Sequence, residues 1–115
     1  MEPTLLEVML RVHGEFRGRL APLRVTPLQA GVLLYLHRQG EAKLKHVAAA
    51  VQVQSPTLGV VINDLVRKRW VTKQRVPHDD RSLCLRLSRQ GAVLVQRIMK
   101  HIRPIRSDRP FKEET

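Results

Sequence analysis

The hydrophobic period of this chain changes twice, and those changes constrain what it can fold into. From Leu5 to Leu65 the apolar residues recur every three or four positions. After Trp70 they alternate, and from Gly91 to Ile102 helical spacing returns. A 3.6-residue repeat is one face of a helix turned to a core; a two-residue repeat is one face of a strand. The order helices, two strands, helix predicts a mainly α fold with a small β element, an α+β class.

Leu5, Met9, Val12, Phe16 and Leu20 predict a helix over 4–20, and Leu6, Val8 and Leu10 widen its apolar face beyond one stripe. Such a face needs two things to bury against: its own domain, and a second copy of the chain. Thr26-Pro27-Leu28-Gln29 supplies a capping hydroxyl, a proline at the first helical position and a Gln three residues on. That second helix runs through Val32, Leu33 and Leu36 to a left-handed cap at Gly40. Leu44, Val47, Ala48 and Val51 predict a short third helix. Ser55-Pro56 repeats the hydroxyl-then-proline start, and Leu58, Val61, Ile62 and Leu65 form the stripe of a fourth. Only "QVQ", residues 52–54, separates the last two, which reads as helix-turn-helix.

Val71, Lys73 and Arg75 share one face of a first strand, and Leu83, Leu85 and Leu87 one face of a second. Ser88 caps a last helix carrying Gly91, Leu94, Val95, Ile98 and Ile102, ended by Pro104. One domain over 1–102, with a basic polar tail over 103–115, is the expected organisation.

Charge points to the partner. A formal charge of +11 and a pI near 11.3 favour a polyanion, because Lys and Arg release condensed counterions from phosphates. Aromatics at 3% argue against a stacking platform for single strands. A lone Cys84 excludes an internal disulfide and suits a reducing compartment. The start "MEPTLLEVMLRV" is acidic rather than signal-like, and no apolar run approaches the roughly 20 residues of a membrane span, so the expectation is cytoplasmic with no membrane partner. Cys84, Ser82 and Ser88 lack a histidine or acid at catalytic spacing, so no enzyme is expected. His13, His37, His46, His78 and His101 do not pair at ligand spacing, so neither a metal nor another cofactor is expected.

The segments "TPLQAGVLLYL" (26–36), "LKHVAAAVQVQSPTL" (44–58), "LVRKRWV" (65–71) and "PHDDRSLCLRLSRQG" (77–91) together resemble the MarR family of bacterial transcriptional regulators. Asp79-x-Arg81, followed by the Leu-Ser-x-x-Gly start of the last helix, is the most telling part. The resemblance implies a winged helix-turn-helix with a DNA-binding core over about 26–91 and terminal helices forming a dimerisation region. It implies a homodimer on duplex operator DNA, a recognition helix in each major groove, and wings in flanking minor groove. It also implies a small anionic or phenolic effector in many members. The competing reading is a winged-helix protein-interaction adaptor whose DNA binding is weak or non-specific.

On this reading Asp79 orients Arg81 and offsets the rotamer entropy of holding a long side chain outward into the narrow groove. The plain alternative is an ordinary turn, which Asp clusters favour in any case. Gln54, Ser55, Pro56, Thr57, Val60, Asn63 and Arg67 fall on the outward side of the fourth helix. Gln54 and Asn63 could read adenine, or serve simply as capping or solvated residues. Gly59 and Val60 stand where the family shows a polar-then-basic pair, so either two direct contacts are missing or Val60 touches a thymine methyl instead, with specificity weaker or of a different kind. Lys73, Arg75 and Arg86, with Arg67 and Lys68, make a basic surface, seven bases against three acids over residues 55–86. Arg69 takes a position where relatives favour glycine, which predicts a different helix ending. Trp70 is expected as core beneath the wing. Dimerisation is expected through Leu5, Leu6, Met9, Val95, Ile98 and Ile102, and a ligand wall from Phe16, Leu33, Tyr35 and Leu94, four residues that could equally well fill the core.

Overall fold

Thr4 opens the first helix with a reciprocal pair of bonds: Glu7 N–H donates to its hydroxyl at 3.2 Å, and its own N–H donates to Glu7 Oε1 at 2.7 Å. In this computed structural model the backbone is described for residues 4–76 and 79–106 and the side chains for residues 4–76 and 83–102. The elements are α1 (Leu5–Leu20), a 3-10 turn (Ala21–Leu23), α2 (Pro27–Gln39), β1 (Ala42–Lys43), α3 (Leu44–Val51), α4 (Ser55–Arg67), β2 (Val71–Val76), β3 (Asp79–Leu87) and α5 (Arg89–Arg106). All five expected helices and both strands are present. Three features of these elements differ from expectation.

The first concerns the sheet. It has three antiparallel strands in the order β1-β3-β2, because Ala42 and Lys43 pair with Leu85 and Cys84. Two residues give no readable alternation, so β1 left no periodic signal. The second is the start of α4, where Gln54, not Ser55, is the extended N-cap and Leu58 N–H reaches its carbonyl at 2.9 Å. The third is α5, which continues through Pro104 to Arg106. In the last turn proline removes one intrahelical bond but has little further helix to interrupt.

The chain divides into two units, Leu28–Gln96 and a second built from the N-terminal segment through Pro27 with the chain from Arg97 onward. In the first, Val32, Leu33 and Leu36 of α2, Val47 of α3, Leu58, Ile62 and Leu65 of α4, Val71 of β2, Leu85 of β3 and Val95 of α5 are buried. Each such side chain contributes roughly 1.5–3 kcal/mol by leaving water. The register places Val71 opposite Leu87, Lys73 opposite Leu85 and Arg75 opposite Leu83, with a bulge between Arg75 and Val76. The expected faces of the two strands therefore meet as one face of the sheet.

In the second unit Leu20, Leu23, Val25, Ile98 and Ile102 are buried, whereas Leu5, Leu6, Val8, Met9, Leu10 and Val12 of α1 are exposed. Of the expected dimer residues, Leu5, Leu6 and Met9 lie open, while Val95 and Ile98 at 0% and Ile102 at 7% exposure belong to the chain's own core. Helical spacing identifies a buried stripe but not whose surface buries it.

Candidate nucleic-acid interface

The joint between α3 and α4 is built by backbone bonds. Gln52 takes a left-handed conformation at φ 58°, Val53 N–H returns to Ala48 C=O at 3.0 Å, and Gln52 N–H returns to Ala49 C=O at 3.3 Å. Both bonds satisfy carbonyls that the end of α3 would otherwise leave without partners. The chain then enters α4 two residues later, with Pro56 in its first turn.

Helix α4 sorts its side chains cleanly. Leu58, Ile62 and Leu65 point inward, while Ser55, Pro56, Thr57, Val60, Asn63 and Arg67 are exposed, Val60 by 71%. Gln54 is exposed and makes no side-chain capping bond. The outward face is thus polar at both ends around an apolar centre, an arrangement that suits base edges and a thymine methyl.

Two interactions organise the bases around it, and spacing alone did not single them out. Asp64, partly buried, accepts from Gln29 Nε2 of α2 at 2.9 Å and pairs with Arg67 at 3.1 Å and Lys68 at 3.3 Å. The Lys68 ammonium also lies 5.2 Å from the centre of the Trp70 ring. An acid followed by bases three and four residues later is a readable helix pattern; the Gln29 bond, 35 residues away, is not. The second interaction runs from the wing: Lys73 Nζ donates to Asn63 Oδ1 at 2.7 Å.

Arg86 is turned elsewhere. It pairs with Glu41 at 2.8 Å, both exposed. Such exposed pairs are weak, about 0–1 kcal/mol, so a phosphate can displace them. Arg75 is exposed on β2. The tip residues Pro77 and His78, and the side chains of Asp79 and Arg81, lie outside the described residues, though β3 carries the backbone from Asp79.

The wing is anchored at its base. Ser88 Oγ donates to Arg69 C=O at 2.6 Å and accepts from Gly91 N–H at 3.0 Å, while Ser88 N–H donates to Trp70 C=O at 3.0 Å. A Cβ on Gly91 would meet that Trp70 oxygen at 2.0 Å, so only glycine fits. Trp70 is half-buried, and Cys84, half-buried, sits opposite Gln74. Arg69 does adopt the left-handed conformation, at φ 66°, contrary to the expected change of helix ending. Trp70 N–H reaches Leu65 C=O at 3.0 Å and Arg69 N–H reaches Val66 C=O at 2.9 Å, and these two bonds hold the arginine there.

Of the expected ligand wall, Leu33 and Leu94 are buried core residues, and Phe16 and Tyr35 are half-buried. Among the described residues no three His, Cys, Asp or Glu side chains gather to hold a metal ion, and no helix is long and apolar enough to cross a membrane.

Residues 25–82 match the family model described as the MarR family. The transcriptional repressor CouR, bound to a 23-mer DNA duplex, aligns at TM-score 0.85 and 28% identity over 91% of this chain and 74% of its own. A MarR mutant from E. coli complexed with operator DNA aligns at 0.80 and 21%, over 85% and 70% of the two chains. NadR in complex with 4-hydroxyphenylacetate aligns at 0.83 and 20%, over 96% and 78%. At the latter two identities the likeness is one of fold. No curated protein matches the sequence.

Proposed function

The chain belongs to the MarR family, and from that membership we propose that it is a DNA-binding transcriptional regulator that grips duplex operator DNA as a homodimer. The observation that carries this reading is the outward face of α4, with Ser55, Thr57, Val60, Asn63 and Arg67 exposed beside a basic strand. A helix with this face fits the major groove. The β2–β3 wing then reaches the flanking minor groove, the region of strongest negative potential, with Arg81 as its proposed contact. CouR, bound to a 23-mer DNA duplex, supports duplex DNA as the partner of this chain.

The homodimer is supported by α1, whose Leu5, Leu6 and Met9 stand open to solvent at 74%, 64% and 58%. A soluble chain that exposes so many large apolar side chains on one helix has a partner for them. A small-molecule effector is a further partner in this reading, supported by NadR in its complex with 4-hydroxyphenylacetate.

Selection from random duplexes tests the function. The expected result is an enriched palindrome with half-sites about one helical turn apart. Affinity for that duplex should fall steeply with salt; two protomers placing about three cations each on phosphates give a log–log slope near −5. Arg81→Ala should weaken binding at moderate salt. Random duplexes that yield no enriched motif would favour the protein-interaction adaptor, whose reading face Gly59 and Val60 make less polar.

A further inference from the structure

One side-chain bond joins the wing to the reading helix. Lys73 on β2 donates to Asn63 on α4 at 2.7 Å, across ten residues of sequence. An ammonium carries three donors and no acceptor, so it meets only the oxygen end of a carboxamide. The bond therefore selects one of the two ways the Asn63 amide can face, with Oδ1 toward the wing.

That orientation matters because asparagine reads a base edge by the polarity of its amide. A bidentate pair with adenine needs the oxygen at the N6 amino group and the nitrogen at N7. An amide turned the other way presents a donor where an acceptor is needed. Asn63 sits three residues after Val60 and four before Arg67, in the outward row of α4. The neighbouring bases behave differently: Arg67 and Lys68 pair with a carboxylate, Asp64, whereas Lys73 is bound to a neutral group. A charge-assisted bond to an amide aligns that amide without cancelling the cation.

We propose that Lys73 is a specificity-determining positioning residue: by holding the Asn63 amide it sets which base is chosen opposite Asn63. The inference rests on the DNA-binding reading above. It differs from the plain role of a lysine on a basic surface, which is one more phosphate contact. A phosphate lysine strengthens binding to all sequences alike; a lysine that orients a reading side chain changes preference at one position.

The test uses the full-length protein and compares wild type, Lys73→Met, Lys73→Arg, Asn63→Ala and the double variant Lys73→Met with Asn63→Ala. Each is taken through selection on random duplexes, then through titration against the selected duplex and its single-base substitutions. The expected result is that Lys73→Met flattens or switches the preference at one base pair in each half-site, by about tenfold in relative affinity. Lys73→Arg, which keeps a donor-only cation, retains the preference, and the double variant discriminates no less at that base pair than Asn63→Ala alone. If Lys73→Met weakens every duplex by the same factor and keeps the wild-type motif, the positioning role is overturned while the functional reading stands. If the wild type selects no motif, both fall together.

Discussion

Arg69 holds a left-handed backbone at φ 66° at the end of the reading helix, a conformation that sets Cβ against the carbonyl and costs about 1–2 kcal/mol. The position is retained because two backbone bonds close the helix there and Ser88 Oγ donates to the Arg69 carbonyl. None of these bonds uses the arginine side chain. Arg69→Gly should therefore raise unfolding stability by about 1 kcal/mol and move the urea midpoint upward by about 0.5 M. A lower midpoint would mean that the side chain itself supports the fold. The position also shows what one residue type conveys from sequence. Arginine at a glycine position implied a different ending, yet the structure keeps the ending and strains the residue. Gln52, at φ 58°, does the same at the close of α3. Asp64 and its two i+3 and i+4 bases were legible as a pattern, but its bond to Gln29 and the bond of Lys73 to Asn63 depend on how separate elements meet.

At the scale of elements, the wing stands on a short joint in which Ser88 serves both sides. Its hydroxyl closes the exit of α4 through Arg69 and caps the start of α5 through Gly91. Ser88→Ala removes both bonds, and the expected loss is about 2 kcal/mol of unfolding free energy by chemical denaturation. Gly91→Ala should lose more, about 3 kcal/mol, because its Cβ would meet backbone oxygen rather than a side chain that can turn aside. A loss below about 0.5 kcal/mol for either variant would show that the joint relaxes freely. Helices α2 to α5 and the longer strands were legible because each turns one face to the core, whereas α1 was legible by apolar spacing although most of that face is exposed: Leu58, Ile62 and Leu65 betray α4 as plainly as Leu83, Leu85 and Leu87 betray β3. The two-residue β1 was not, since its pairing with β3 is a matter of register rather than of period. The wing tip carried the strongest family signal, while the side chains that would test it, Asp79 and Arg81, lie outside those described.

Charge and apolar surface pull the whole molecule in opposite directions. A chain of formal charge +11 repels its own copies, yet α1 exposes Leu5, Leu6, Met9 and Leu10, which water disfavours. If the homodimer forms through α1, salt should screen the repulsion and tighten self-association while it weakens the grip on DNA. Sedimentation equilibrium and duplex titration across the same salt series should therefore show opposite slopes, a pattern that a phosphate-driven assembly on DNA does not produce. Leu6→Glu probes the same face directly. In a two-fold interface the substitution occurs on both copies, and an unpaired charge buried there costs about 3 kcal/mol or more. The dimer constant should weaken by over about a hundredfold, leaving a folded monomer. That monomer keeps its reading helix, so it should still occupy a half-site at low salt but lose the advantage of binding two at once. A Leu6→Glu protein that stays dimeric with wild-type affinity would move the interface off α1.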